Sequence, residues 1–153
     1  MIPKLKYLFI IILIAVQITC EKDNGDIIPD TYVNFTIRTD DAQFSAISVP
    51  GNSVFVDNVS IGTNFLGYNN NGVIIYNNGN NEFYAFDATC PQDVASGTAV
   101  ELNNPSFATC PVCNSIFLFA SSGNPSTGSV AKYPLKNYRT SFIPGSGEIH
   151  VYN

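Results

Sequence analysis

The sequence predicts one small all-β domain, and three observations carry that expectation. After residue 20 no stretch sustains a 3.6-residue apolar period over ten residues. Short apolar runs recur instead, and the first alternates strictly. Val33, Phe35 and Ile37 are interleaved with Asn34, Thr36 and Arg38, the two-residue period of a half-buried strand. Between the runs lie clusters of Gly, Pro, Asn and Ser with turn chemistry. A length of 153 residues leaves room for a single core. Only 12% of the residues are charged, which excludes a coiled coil, and 12% are aromatic, which gives the chain too much to bury for disorder.

The expected strands follow in chain order. After the alternating run, Val54-Phe55-Val56 stands behind the turn signal Pro50-Gly51-Asn52. Residues 73–76 and 82–86 read as two strands of a hairpin, joined by Asn77-Asn78-Gly79-Asn80-Asn81. Asn and Gly tolerate the positive φ that tight hairpin turns require. Further strands are expected at 107–109, 116–120, 133–139 and 148–152, separated by Ser121-Ser122-Gly123-Asn124-Pro125 and Pro144-Gly145-Ser146-Gly147. Leu66 or Val94 is expected to start no more than a helical turn. Short strands at this spacing indicate a sandwich or small barrel.

The first twenty residues are different. Lys4 and Lys6 precede an unbroken apolar run over 7–16. Ten residues span ~15 Å as a helix, about half of a bilayer's hydrocarbon core. The length and flanks are those of a signal-peptide h-region, so residues 1–19 read as a removed export signal. The run closes on Gln17-Ile18-Thr19-Cys20, which resembles the lipobox of bacterial lipoproteins, although Gln17 and Thr19 depart from the usual residues. Acidic Glu21 and Asp23 after it resemble lipoproteins of the Bacteroidetes type. The resemblance implies acylation of Cys20, attachment to a membrane through that lipid, and a place in the cell envelope. Residues 20–30 would be the tether and 31–153 the domain. One acyl chain anchors marginally, so stable attachment needs several on Cys20.

Loss of residues 1–19 leaves 5 basic against 12 acidic residues, so net −5 becomes −7. Nucleic acid is excluded as a partner on that balance. The fold is expected to give no electrostatic help in approaching an anionic leaflet.

Three cysteines remain: Cys90, Cys110 and Cys113. An odd number cannot close a complete disulfide framework. Cys90-Pro91-Gln92-Asp93 and Cys110-Pro111-Val112-Cys113 each follow a predicted strand, so two Cys-Pro loops are presented at strand ends. A Cys-Pro-x-Cys turn brings two thiolates together near backbone N–H groups, the chemistry of a zinc knuckle.

These half-motifs resemble those of the Rieske iron–sulfur domain, which pairs Cys-x-His in one loop with Cys-x-x-His in a second. Cys90 and Cys110 stand where that family's cysteines would, with residues 93–109 between the half-motifs. Ser115, Phe117, Gly128 and Pro134-Leu135 match the flanks, as does the hairpin leading into Phe83-Tyr84-Ala85-Phe86-Asp87-Ala88-Thr89-Cys90-Pro91. The resemblance implies a Rieske-like antiparallel β-sandwich over 31–153, with the two loops meeting at one end. It departs at the ligands: Gln92 stands at the first histidine and Cys113 at the second. A Rieske centre needs two His on one iron. His150, the sole histidine, lies in the last strand and reads as a polar residue alternating with Ile149 and Val151.

Three readings of the site stay open. Cys90, Cys110 and Cys113 bind zinc, with Asp93 or water as fourth ligand; or three thiolates and an oxygen hold a modified [2Fe–2S] cluster; or two cysteines form a disulfide. The signal has no twin arginine, so the chain is expected to be threaded unfolded into an oxidising compartment. That favours zinc or a disulfide over a cluster. The corresponding functions are a non-catalytic module stapled at the Cys loops, an electron carrier, and a thiol-based redox protein. No Gly-x-Ser-x-Gly or His-Glu-x-x-His motif is present. Asp40-Asp41 and Asp57 read as solvated turn carboxylates, and Gly145-Ser146-Gly147 precedes a strand, so it reads as a turn rather than a phosphate loop.

Overall fold

The computed structural model describes residues 27–153; the signal segment, Cys20 and the first part of the tether lie outside them. Ten strands follow in chain order: β1 (Asn34–Arg38), β2 (Ser53–Val56), β3 (Val73–Gly79), β4 (Glu82–Asp87), β5 (Glu101–Asn104), β6 (Phe107–Thr109), β7 (Ile116–Leu118), β8 (Asn124–Pro125), β9 (Asn137–Ile143) and β10 (Glu148–Tyr152). They form a six-stranded sheet in the order β1-β10-β9-β4-β3-β2 and a four-stranded sheet in the order β5-β6-β7-β8. Every strand pair is antiparallel. This is the all-β, two-sheet architecture expected from the sequence.

The apolar run at the start of β3 explains how the sheets are joined. Val73, Ile74, Ile75 and Tyr76 are all buried, a continuous run that suits a strand covered on both faces. Val73 and Ile75 pack with Val33, Phe35, Ile37, Ile149 and Val151 in one core. Ile74 and Tyr76 point the other way, toward Phe86, Phe117, Phe119 and Leu135 in a second core. Cys90 and Cys110 belong to that second core, so the candidate site grows out of packed side chains. The rings of Phe86 and Phe119 stack at 5.5 Å, fixing the small sheet against β4. Gly123 makes this approach workable. Its φ is +72°, and a Cβ there would stand 2.9 Å from the Phe86 ring.

Several boundaries differ from expectation, each for a local reason. The hairpin turn forms through Asn80 (φ 53°) and Asn81 (φ 63°), and β3 carries a register shift between Asn77 and Gly79. The strand expected at 133–139 begins at Asn137 and runs to Ile143, because Pro134 has no N–H for a ladder and the Leu135 N–H is taken by the Gly123 carbonyl. Residues 116–120 divide into β7 and a 3₁₀ turn, Phe119–Ser121. β5 was not expected: Glu-Leu-Asn-Asn has no apolar alternation, and the strand lies at the edge of its sheet. Val94 does start a helical turn, whereas the turn near Leu66 starts at Tyr68.

Residues 28–30, read as tether, are tied into the domain. Ile28 is 1% exposed, and the buried Lys136 Nζ donates to its carbonyl at 3.1 Å and pairs with Asp30. A buried ammonium needs such partners, and here the N-terminal segment supplies them.

Candidate metal centre

Cys90 stands just beyond β4, on a loop closed at its neck. Its N–H donates to the Thr98 carbonyl at 2.8 Å, and Thr89 bridges to Ala99. Below the neck lies Asp87, fully buried. Its Oδ1 accepts from the Thr89 N–H at 2.8 Å. Its Oδ2 accepts from the Tyr68 N–H at 2.7 Å and the Tyr138 hydroxyl at 2.6 Å.

Cys110 and Cys113 sit in the connection between β6 and β7. The Cys110 N–H donates to the Ser115 carbonyl at 2.9 Å, and the Asn114 N–H returns to the Cys110 carbonyl at 3.0 Å. Asn114 has φ 56°, the left-handed conformation that Asn accepts more readily than most residues. The chain therefore folds back at once, and Cys113 faces Cys90 across the loop gap.

All three sulfurs lie within 4.8 Å of one another, with Cys90 and Cys113 Sγ 3.7 Å apart. Cys90 and Cys110 are buried and Cys113 is half-buried; all three are free cysteines. Burial pushes the Cys90 thiol up to about 12; the Gln92 N–H opposes this, and the neighbouring Cys110 and Cys113 reinforce it. At Cys113 burial also acts upward, but hydrogen bonds from the Ser115 hydroxyl and N–H, with help from Cys110 and Cys90, hold the thiol below its usual value. Ser115 is itself fully buried. Its Oγ accepts from the Ala131 N–H at 2.9 Å and from the Cys113 thiol at 3.2 Å; once that thiol ionises, the hydroxyl is in place to turn its proton to the sulfur.

The two loops thus meet as expected, but Asp93 does not join them. It is exposed, and its carboxylate accepts from the Ser96 N–H at 3.3 Å, capping the short 3₁₀ turn Val94–Ser96. Gln92 is exposed as well. His150 lies on β10, its Nε2 2.9 Å from Asn34 Oδ1 and its ring stacked on Tyr152 at 5.0 Å. Among the described residues the group able to converge on one ion is Cys90, Cys110 and Cys113 alone. A two-Cys, two-His ligand set is absent from it, so these residues do not fit a Rieske cluster. Ser115 was legible only as a family flank, and the Asp87 clamp had no sequence signal beyond an Asp closing a strand.

No family model matches the chain, and no curated protein matches it. Solved structures do. A chain of the complex of reduced oxygenase and oxidized ferredoxin in carbazole 1,9a-dioxygenase is 19% identical, with a TM-score of 0.48 over 80% of this chain and 94% of that one. The ferredoxin of carbazole 1,9a-dioxygenase from Nocardioides aromaticivorans IC177 is 18% identical, with a TM-score of 0.44 over 80% and 98%. A protein provisionally described as the small subunit of an NADH-dependent nitrite reductase from Mycobacterium tuberculosis is 18% identical, with a TM-score of 0.43 over 81% and 97%.

Proposed function

We propose that this chain is an exported, lipid-anchored domain whose two Cys loops are stapled by one zinc ion, and that it has no catalysis of its own. The observation that carries this reading is the convergence of three sulfurs from separate loops, with Cys90 and Cys113 3.7 Å apart. Zinc–sulfur bonds of about 2.3 Å set the edge of a tetrahedral site at about 3.8 Å. A cation also relieves the electrostatic conflict among the thiols, because metal binding displaces the proton that buried Cys90 otherwise holds. With Asp93 occupied as a cap, water is the natural fourth ligand. Zinc supplies cross-linking; the residues supply orientation, through the Ser115 contact to Cys113 and the Gln92 N–H to Cys90.

Purification without oxygen, followed by metal and thiol counting, tests this. One zinc per chain with colourless protein is the expected result. Stoichiometric iron with thiolate charge-transfer bands overturns it in favour of electron transfer.

The same contact supports a second reading for metal-free protein. Cys113, half-buried and with its thiol held low, stands beside Cys90 and is the nucleophile of a Cys90–Cys113 disulfide formed by exchange with an oxidised thiol carrier. A single free thiol per chain and no metal would mark that state.

A further inference from the structure

We propose that the end of the domain bearing Cys90, Cys110 and Cys113 faces the membrane and lies against the lipid surface. The inference rests on the lipid-anchor reading of Cys20 and adds an orientation to it. Ile27, at the start of the described chain, lines a cleft of about 200 Å³ together with Pro91, the residue after Cys90, and Tyr133. The chain therefore reaches the domain beside the cysteine loops. Seven residue steps separate Cys20 from Ile27, so the acylated residue stands no more than ~25 Å from that point.

Exposed apolar side chains stand around this entry, with the exposed Gln92, Asp93 and Lys132 among them. Val112, between Cys110 and Cys113, is 66% exposed, Val130 58%, Tyr133 51% and Ile27 40%. Val130 belongs to the same end because the next residue, Ala131, donates its N–H to Ser115 beside Cys113. Other apolar side chains are as exposed, Val59 and Tyr32 more so; Ile143 is one that lies at the other end of β9, ~20 Å from Asn137, which pairs with Phe86 near the cysteine end. What separates the two ends is where the tether enters. Once the lipid is inserted, contact of nearby apolar side chains with the interface is intramolecular, and weak contacts suffice to choose the end that turns down. The mature chain carries net −7, so the orientation comes from apolar contact rather than from attraction to anionic lipid.

The chain contains no Trp, which makes single-Trp reporters clean. Val112→Trp, Val130→Trp and Ile143→Trp are prepared in the full-length, host-processed protein. Each is placed in protein-free phosphatidylcholine vesicles with brominated acyl chains, after mass spectrometry of the N-terminal peptide. The expected result is acylated Cys20 with at least about twofold quenching at positions 112 and 130, little at 143, and no dependence on salt. Equal or stronger quenching at 143, or none at any position, in acylated protein overturns the orientation while leaving the anchor standing. An unmodified Cys20 overturns the anchor reading and the orientation with it.

Discussion

The Tyr138 hydroxyl donates to Asp87 Oδ2 at 2.6 Å, both residues being buried, and so ties β9 to the strand end that carries Cys90. Because Asp87 Oδ1 holds the Thr89 N–H, the carboxylate sets the direction in which the chain leaves β4. Removing the acceptor strands three donors, whereas removing one donor strands part of one acceptor. Asp87→Ala is therefore expected to cost about 3 kcal/mol or more and Tyr138→Phe about 1 kcal/mol in urea unfolding. Equal effects would contradict the clamp.

The metal reading separates four residues that the sequence placed together. Cys90→Ser, Cys110→Ser and Cys113→Ser should each weaken zinc binding by at least about 100-fold in competition with a chelator. Asp93→Ala should change it by less than about threefold, because that carboxylate caps a turn instead of reaching the sulfurs. A large loss on Asp93→Ala would show that the loop rearranges on loading.

In metal-free, reduced protein the thiols should react in a set order. Cys113, held low by Ser115 and half-buried, is alkylated first, and Cys90, raised by burial, stays protected. As pH falls through the Cys113 value its thiolate is lost and the rate drops. Ser115→Ala should move that fall to higher pH, because it removes the hydroxyl that favours the charged sulfur. Peptide mapping after brief iodoacetamide treatment reads the order.

The clasp at the chain entry gives a pH signature. The hydrogen bond and charge of Lys136 lower the Asp30 carboxyl below its ordinary value. A depressed carboxyl contributes stability that is complete above the unfolded value of about 3.9 and is lost as pH falls through the folded one. Thermal unfolding of the parent and Asp30→Asn should therefore differ at neutral pH and converge in acid. A constant difference across that range would remove the ion pair from the account.

Much of the fold is legible because sheet periodicity is local. The alternation through Val33, Phe35 and Ile37 and the hairpin of β3 and β4 depend on near neighbours, and both form, although the turn closes at Asn80-Asn81 rather than at Asn78-Gly79. β5 escaped because an edge strand can be polar, and the start of β9 shifted because Gly123, 12 positions away, claims the Leu135 N–H.

At the site, the sequence by itself determined the donors: three cysteines on two Cys-Pro loops, with the sole histidine far along the chain at position 150. Tertiary structure decided which of the named residues meet. Asp93 has the right spacing for a ligand, yet its own turn offers a nearer partner in the Ser96 N–H. Ser115 is held against Cys113 because its oxygen also accepts from the N–H of Ala131, brought in from the following turn. It also decided that residues 27 and 28 lie beside Pro91, where Ile28 and Asp30 are among the groups that meet the buried charge of Lys136. Such pairings compare distances between segments far apart in sequence, and only the folded chain sets those distances.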